Sequence, residues 1–390
     1  METKYLDALY QTDFTEIFEK NIEIEWPLKI ETVKNAFVLP ADFEKNEVGV
    51  ADENGEVVGL ANFDALNPID AFQLSEVPEL TVAKSENKSV IYLGVIRNQW
   101  GHFLMDGVSR LWSTLAATKN KEFVYVGDVI TNPAVFEFFE LLGIKKEQLH
   151  YISKITQFDE VIVPEASYVP GKYIHRDFLK IFDQILEKIP ENSESSKIYL
   201  SRTRLTGLKE WGEAALETTF RKNGYRIIYP EQLLLAEQVQ FIRSADKIAC
   251  LSGTLPHTLV FAKKTAEIVV FNKSYKRENY RQAAIDALKN YKITYVDSHI
   301  SLAPVFSGGP FWIQKNANVR QFLTDHQLTD TADKQKSYFW RYVSAVLKLY
   351  ANIWRGTKQN PVAVIEQHNM YTKKATIRQL LRFYFPRLFS

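Results

Sequence analysis

The chain is almost free of cysteine and has no long apolar run. Cys250 is the only cysteine among 390 residues, which excludes an intramolecular disulfide and a metal site built on several thiolates. No uncharged apolar run approaches the roughly 18 residues needed to cross a bilayer. The first residues, Met1 to Asp7, lack the basic and apolar regions of a signal peptide. We therefore expect a protein that is made and kept in a reducing cytoplasm.

Positive and negative charges nearly balance, with a net charge of +1, but they are unevenly distributed along the chain. Residues 334–390 contain eleven basic residues and one acidic residue, a net charge of +10, so the first 333 residues carry −9. This asymmetry argues against a nucleic-acid-binding body and predicts a basic tail with an anionic partner.

Two aromatic segments lie in this tail. Residues 338–354 are expected to pack back on the folded body. Residues 373–389 combine apolar positions at helical spacing with basic residues, which is typical of a helix lying in a membrane interface. The predicted lipid contacts are Lys373, Lys374, Arg378, Arg382 and Arg387. They predict a peripheral location on the inner face of the cell membrane.

The chain is 46% hydrophobic and 24% charged, as in soluble globular proteins, and is long enough for two domains. Short β-branched runs alternate with amphipathic helical patterns on both sides of a polar segment at 190–196. Such alternation predicts parallel sheets covered on both faces, and two doubly wound units facing a cleft. The predicted divisions are a β-rich preface (1–88), an N-terminal Rossmann-like domain (89–190), a C-terminal one (197–300), and a basic helical extension (301–390).

The most informative stretch is Trp100-Gly-His-Phe-Leu-Met-Asp-Gly-Val-Ser-Arg-Leu-Trp112, which follows the buried strand pattern at 90–96. On a helix His102, Asp106 and Arg110 follow one another at four-residue spacing and form a polar stripe. A carboxylate beside an imidazole holds its tautomer and raises its basicity, which suits a general base. The alternative is a structural network in which Asp106 bridges His102 and Arg110 to dock the helix.

Two further groups follow predicted strands. Ser201, Arg202 and Arg204 come at the end of a strand, and arginines two apart in an extended chain point the same way and could hold a diphosphate. Ser252, Gly253 and Thr254 open a helix whose free amides and dipole favour a phosphate. The alternatives are a solvated basic turn for the arginines and a histidine packed against the helix for His257.

These strings resemble glycosyltransferase family 61. The resemblance covers about residues 35–275 and rests on Gly-His-Phe-Leu-x-Asp-x-x-x-Arg-Leu-Trp, on Ile198 to Arg204, on Glu237-Gln238 and on Ser252-Gly-Thr254. It implies an inverting transfer from a nucleotide-sugar on a GT-B fold. It also implies that His102 and Asp106 are catalytic, and that Arg202, Arg204 and Ser201 bind the donor. Further implied donor contacts are Glu237, Gln238, Ser252, Gly253, Thr254 and His257, with Arg110 in an orienting role.

The sequence departs from the family pattern in two places. Ser252-Gly253 stands where members carry His-Gly, and whether His257 replaces that histidine is left open. Lys209-Glu210 stands near an expected Asn-Glu pair. A metal-dependent transferase would need an Asp-x-Asp motif, which the sequence lacks, so neither a metal nor another cofactor is expected.

The resemblance implies a transferase of cell-surface or capsule polysaccharide assembly. Its partners would be a nucleotide-sugar, with UDP-sugar favoured, and a glycan or lipid-linked acceptor. Two alternatives remain open: a non-catalytic scaffold of the same fold, and a polysaccharide-modifying transferase of the pyruvyl type.

Overall fold

The computed structural model describes residues 2–6, 22–45, 47–65, 71–74, 84–115, 118, 120–191, 196–207, 210–274, 280–300, 310–331, 338 and 340–348. Its strands are β1 (Glu2–Tyr5), β2 (Ile22–Ile24), β3 (Ile30–Asp42), β4 (Glu47–Ala51), β5 (Lys84–Ile96), β6 (Phe123–Gly127), β7 (Leu149–Tyr151), β8 (Thr156–Pro164), β9 (Tyr168–Val169), β10 (Tyr173–His175), β11 (Ser196–Leu200), β12 (Glu210–Trp211), β13 (Arg226–Ile228), β14 (Ala245–Leu251), β15 (Glu267–Asn272), β16 (Lys292–Asp297), β17 (His299–Ile300) and β18 (Phe311–Ile313).

The α-helices are α1 (Trp100–His102), α2 (Pro133–Leu142), α3 (Asp177–Lys188), α4 (Glu213–Lys222), α5 (Leu235–Ser244), α6 (Tyr280–Lys289) and α7 (Ala317–Asp325). Residues 340–348 are also helical. No helix within these described ranges has the length and apolar character needed to cross a membrane.

The first large sheet has the strand order β4-β3-β8-β5-β6-β7. Strands β8, β5, β6 and β7 run parallel, as the alternating pattern predicts, whereas β3 and β4 are antiparallel additions. Period-2 alternation along β5 sends Ile91 and Leu93 into one apolar cluster and Val90 and Tyr92 into another. This sheet is therefore buried on both faces.

The predicted β-rich preface is not separate from this sheet. Strand β3 pairs with β8 over most of its length, and the predicted boundary at 88/89 falls inside β5. The second face of the sheet is covered by Val58 and Phe72, from the segment after β4, rather than by an α-helix. The prediction of a doubly wound unit at 89–190 is wrong in this respect, because residues 30–74 supply two strands and one covering layer.

The second large sheet is parallel throughout, in the order β1-β16-β15-β14-β11-β13. Its edge strand β1 comes from Glu2–Tyr5, at the start of the predicted β-rich preface. The strand order reverses between β11 and β14, so the connections from these neighbours leave in opposite directions. A crevice at the carboxyl ends of such strands is the usual ligand position in open α/β sheets.

The two large sheets share one apolar core. Phe182 of α3 contacts Phe261, which follows β14, with ring centroids 5.4 Å apart. The carboxylate of Glu137 on α2 accepts a 2.6 Å hydrogen bond from the amide of Leu235 at the start of α5. These contacts hold the carboxyl ends of β5 and β14 close together.

A small sheet, β12-β18-β17, extends the C-terminal half, and residues 340–348 pack on it. Tyr342 is fully buried against Trp312, with ring centroids 5.6 Å apart. The start of the predicted segment 338–354 therefore packs on the folded body. The predicted membrane segment 373–389, with Lys373, Lys374, Arg378, Arg382 and Arg387, lies outside the described residues. The α/β class is confirmed, while the GT-B arrangement stays a prediction.

Candidate active site

The His102 motif forms a chain of short helical turns rather than one regular helix. After α1 comes a π-helical turn, Phe103–Gly107, and then a 3₁₀ segment, Leu111–Thr114. Phe103, Leu104 and Met105 are fully buried and anchor the turn to the core. Turns of the π type occur often at functional sites.

The predicted pair of His102 and Asp106 forms. His102 Nδ1 lies 2.9 Å from Asp106 Oδ2, and the two side chains are 21% and 15% exposed. A carboxylate at Nδ1 holds the proton on that nitrogen, which makes Nε2 the proton-accepting atom of the ring. The buried residues 103–105 hold the turn that carries the pair, and both side chains of the pair remain partly exposed to solvent.

Arg110 does not join this pair, contrary to the stripe predicted from four-residue spacing. Its buried guanidinium donates to the backbone carbonyls of Leu60, Ala61, Asn62 and Pro164. The prediction assumed a regular α-helix, whereas the π turn at Phe103–Gly107 changes the angular position of the residues that follow it, including Arg110. Arg110 ties the segment at 60–62 to β8.

Arg281 of α6 occupies the place predicted for Arg110. Its Nε lies 3.1 Å from both Asp106 carboxylate oxygens, and its Nη2 lies 2.6 Å from Oδ2. Burial by itself would raise the pKa of Asp106, but the charge of Arg281 and the hydrogen bond to His102 together lower it. Sequence reasoning missed Arg281 because 175 residues separate it from Asp106 and no local motif marks it.

His257 reaches the same place from the second sheet. It lies in the 3₁₀ segment Leu255–Phe261 and packs on Gly101, where an added Cβ would lie 2.9 Å from His257 Cδ2. The Gln282 amide nitrogen donates to Asp286, so its oxygen is left to accept from His257 Nδ1, at 3.1 Å. Burial above all lowers the pKa of His257 to about 4, so its ring is neutral at pH 7.

A second cluster lies at the reversal of strand order, around Gly253 after β14. Its φ of +122° requires glycine, and an added Cβ would lie 3.1 Å from Lys273 Nζ and 3.4 Å from Arg202 Nη1. Both cations also face Glu210 Oε1, which is 2.5 Å from Lys273 Nζ and 3.4 Å from Arg202 Nη1. Two cations and one carboxylate leave one net positive charge beside the glycine.

Gly253 and its neighbour Thr254 connect the two clusters. An added Cβ on Gly101 would lie 2.9 Å from Thr254 Cγ2, so the residue after Gly253 contacts the His102 turn. The loop from Ser252 to His257 therefore spans the distance from the cations to the His102–Asp106 pair. Sequence reasoning missed Lys273, although its position directly after β15 is the kind of signal that singled out Arg202.

Arg204 points away from this cluster, and the prediction that it points the same way as Arg202 is wrong. The chain turns at 203–204, and Arg204 stacks 3.9 Å from the Tyr229 ring centroid and donates to Gln232 at 3.0 Å. Ser201 lies beneath the turn and donates to Glu217 at 2.8 Å. Ser201 thus supports the loop that carries Arg202.

Glu237 and Gln238 lie in the first turn of α5. Glu237 accepts from the amide of Leu234 at 2.9 Å, and the Gln238 amide donates to the carbonyl of Leu233 at 3.1 Å. Both side chains therefore satisfy backbone groups at the helix N-terminus, as a capping residue does. Their predicted contact with a donor remains a prediction. Ser252 contributes its hydroxyl as acceptor for the Lys273 amide at 3.1 Å.

A family model described as Glycosyltransferase 61 matches residues 100–269, which include the His102 motif, Arg202 and Gly253. Residues 100–269 are therefore similar to glycosyltransferase family 61. The resemblance noted from the sequence motifs is thereby confirmed, and the family indicates glycosyltransferase activity. No curated protein matches the chain in sequence.

Within the described ranges, no group of three or more His, Cys, Asp or Glu side chains has an arrangement that could hold a metal ion. Arg202 and Lys273 supply positive charge beside Gly253. Charged side chains of this kind stabilise a departing diphosphate in a water-excluded site.

Proposed function

We propose that the protein transfers a sugar, with inversion, from a nucleotide-sugar to a hydroxyl of a glycan or lipid-linked acceptor. The observation that carries the proposal is the meeting of two clusters around the loop 252–257. One cluster offers an imidazole oriented by a carboxylate, and the other offers two cations beside a glycine. A direct displacement requires a base and an anion-binding group near the same anomeric carbon, and the contact of Gly101 with Thr254 brings both clusters next to one loop.

In the proposed reaction the acceptor oxygen attacks the anomeric carbon while the bond from that carbon to the diphosphate oxygen breaks. His102 Nε2 takes the acceptor proton, and Asp106 stabilises the imidazolium that forms. Arg202 and Lys273 balance the charge of the nucleoside diphosphate as it leaves. Arg281 positions Asp106. The acceptor proton passes to His102, the electron pair of the broken bond leaves with the diphosphate, and no metal takes part.

The test is incubation of the full-length protein with a panel of nucleotide-sugars and glycan acceptors, followed by measurement of free nucleoside diphosphate and of glycosylated product in excess chelator. UDP-sugars are the favoured donors. We expect His102→Ala to lower turnover about 10²–10⁴-fold while nucleotide affinity is retained. His150, which pairs with Glu122 away from both clusters, provides the control variant His150→Ala.

Each of the other outcomes would support a different function or mechanism. Wild-type turnover in folded His102→Ala would remove His102 as the base. Nucleotide binding with no release from any donor would favour the scaffold, and transfer of a pyruvyl group to a glycan would favour the modifying transferase. A requirement for Mg²⁺ or Mn²⁺ would contradict the metal-free reaction.

The basic tail suggests where in the cell the protein binds its acceptor. We propose that residues 373–389 attach the enzyme to anionic lipid at the inner membrane face, close to a lipid-linked acceptor of surface-polysaccharide assembly. Each basic residue near such a surface contributes about 1 kcal/mol, and five lie between Lys373 and Arg387. Co-sedimentation with anionic vesicles should be lost in a chain ending at Tyr371. Equal binding of both chains would contradict the attachment.

A further inference from the structure

Glu210 places a negative charge between the two cations of the proposed donor site. Its Oε1 lies 2.5 Å from Lys273 Nζ and 3.4 Å from Arg202 Nη1, and both cations face Gly253. The Glu210 side chain is only 5% exposed, against 9% for Lys273 and 15% for Arg202. A carboxylate therefore already faces the two cations that the proposed reaction assigns to the diphosphate.

The other carboxylate oxygen of Glu210 is poorly stabilised. Oε2 is buried and has no hydrogen-bond partner in the described part of the chain. An ionised carboxylate can accept several hydrogen bonds, and a buried oxygen that accepts none costs free energy. Such a group in a folded protein calls for an explanation other than stability.

The small sheet fixes the position of Glu210. Strand β12 pairs in parallel with β18, with Glu210 opposite Phe311, and the Phe311 ring centroid lies 4.3 Å from Lys273 Nζ. Two residues later, Gly212 packs so closely on β18 that an added Cβ would lie 2.0 Å from the carbonyl oxygen of Ile313. Because its backbone is held in this way, Glu210 keeps its charge beside any diphosphate that Arg202 and Lys273 bind.

This charge affects the donor and the product of the proposed reaction differently. In a nucleotide-sugar both phosphates are esterified, whereas the released nucleoside diphosphate has a terminal phosphate whose second ionisation lies near pH 6. At pH 7 the product therefore carries about one more negative charge than the donor. At an effective dielectric constant of about 20, one extra unit charge within several ångströms of a carboxylate changes affinity about tenfold or more.

We propose that Glu210 is a specificity-determining residue that disfavours the free nucleoside diphosphate relative to the nucleotide-sugar, and so promotes product release. The inference rests on the proposed function for the assignment of Arg202 and Lys273 to the diphosphate. Glu210 acts through its charge and needs no contact with the ligand. Since two cations face one carboxylate, the site still attracts a diphosphate.

The test measures nucleotide binding to the full-length protein by calorimetry at pH 7.5, without turnover. The probes are UDP and GDP, each compared with its β-methyl ester, which blocks the terminal phosphate as a sugar does. Glu210→Gln keeps the size and an acceptor oxygen but removes the charge. We expect it to tighten binding of the free diphosphate about tenfold more than binding of the ester. Glu210→Asp, which keeps the charge, should retain the wild-type ratio of the two affinities.

The protonation of Lys273 does not obscure this result. Burial lowers the pKa of the Lys273 ammonium, and the charge of Glu210 opposes that effect. A bound diphosphate would oppose it in the same way, so Lys273 stays charged in the complexes of Glu210→Gln.

Glu267 provides the matched control. It also faces two cations, Lys247 at 2.7 Å and Lys292 at 2.9 Å, but it lies at the first residue of β15, whereas Lys273 follows the last. Glu267→Gln should leave the affinities for both probes unchanged. A change in the ratio for this variant would show that the ratio reports net charge and would overturn the proposal.

The other outcomes separate this inference from the proposed function. Equal tightening of both probes in Glu210→Gln, or equal weakening, would mean that Glu210 does not distinguish product from donor, and would overturn the inference alone. Weaker binding of both probes in Arg202→Ala would support the donor site whatever Glu210 does. Unchanged affinity in Arg202→Ala, or no binding of any probe by the wild type, would remove the donor site and the role of Glu210 with it.

Discussion

Removal of Arg281 should change both the stability of the protein and its dependence on pH. Arg281 and Asp106 are each 15% exposed, and the guanidinium makes three contacts of 2.6–3.1 Å with the carboxylate. Loss of one partner from a buried pair costs about 3–5 kcal/mol. Since this pair retains some solvent contact, we expect Arg281→Met to lower the free energy of unfolding by about 3 kcal/mol at pH 7.

The pH dependence follows from the carboxyl group that is left behind. In the wild type the pKa of Asp106 is lowered below 3.8, so its stabilising contribution is present above that pH and is lost as the pH falls through the lowered value. Without Arg281, burial is opposed only by His102, through its hydrogen bond and its charge, and the pKa of Asp106 rises. Protonation then relieves the buried charge, so the loss caused by Arg281→Met should shrink from pH 7 to pH 5.

Urea denaturation of the wild type, Arg281→Met, Asp106→Asn and the double variant measures this directly. The double-mutant cycle should give a coupling of about 1.5 kcal/mol or more. Arg281→Lys should recover part of the loss, since it keeps the charge but not the planar fork. Lys292→Met, which breaks an exposed pair with Glu267, should cost less than about 1 kcal/mol. A coupling near zero, or a loss that is the same at both pH values, would refute the reasoning.

Three further predictions concern the second sheet and the contact between clusters. Gly101→Ala should destabilise the protein by about 1–3 kcal/mol and lower turnover, since its Cβ would lie 2.9 Å from His257 and Thr254. Thermal unfolding measures the change. The control Gly59→Ala should show little change, because its Cβ would have no atom within 4 Å. Arg202→Ala should weaken nucleoside-diphosphate binding about tenfold or more by calorimetry, with partial rescue by Lys; unchanged affinity would remove Arg202 from the donor site. Burial raises the pKa of Glu213 from 4.5 to about 8, so the free energy of unfolding of the wild type should fall as pH rises from about 4.5 to 8. Glu213→Gln should flatten this dependence of stability on pH. An unchanged dependence would show that Glu213 does not titrate in this range.

The local sequence was sufficient to predict the strands that carry the site. The run at 90–96 is apolar and rich in β-branched residues, and it forms the buried end of the strand β5, which pairs in parallel with β6 and β8. The four-residue spacing of His102 and Asp106 correctly predicted their contact, because one helical turn of either α or π type brings such residues together. These features depend on neighbours along the chain, and local chemistry determines them.

Three features were decided only by the tertiary structure. Arg281 replaces Arg110 as the partner of Asp106, Lys273 joins Arg202 at Gly253, and β3 extends the first sheet by pairing with β8. In each case the partners are far apart in sequence. Alternation of apolar residues shows which face of a strand is buried, but not which strand or helix lies beside it. Partner choice depends on the packing of the whole core, and so does the charge that surrounds the His102–Asp106 pair.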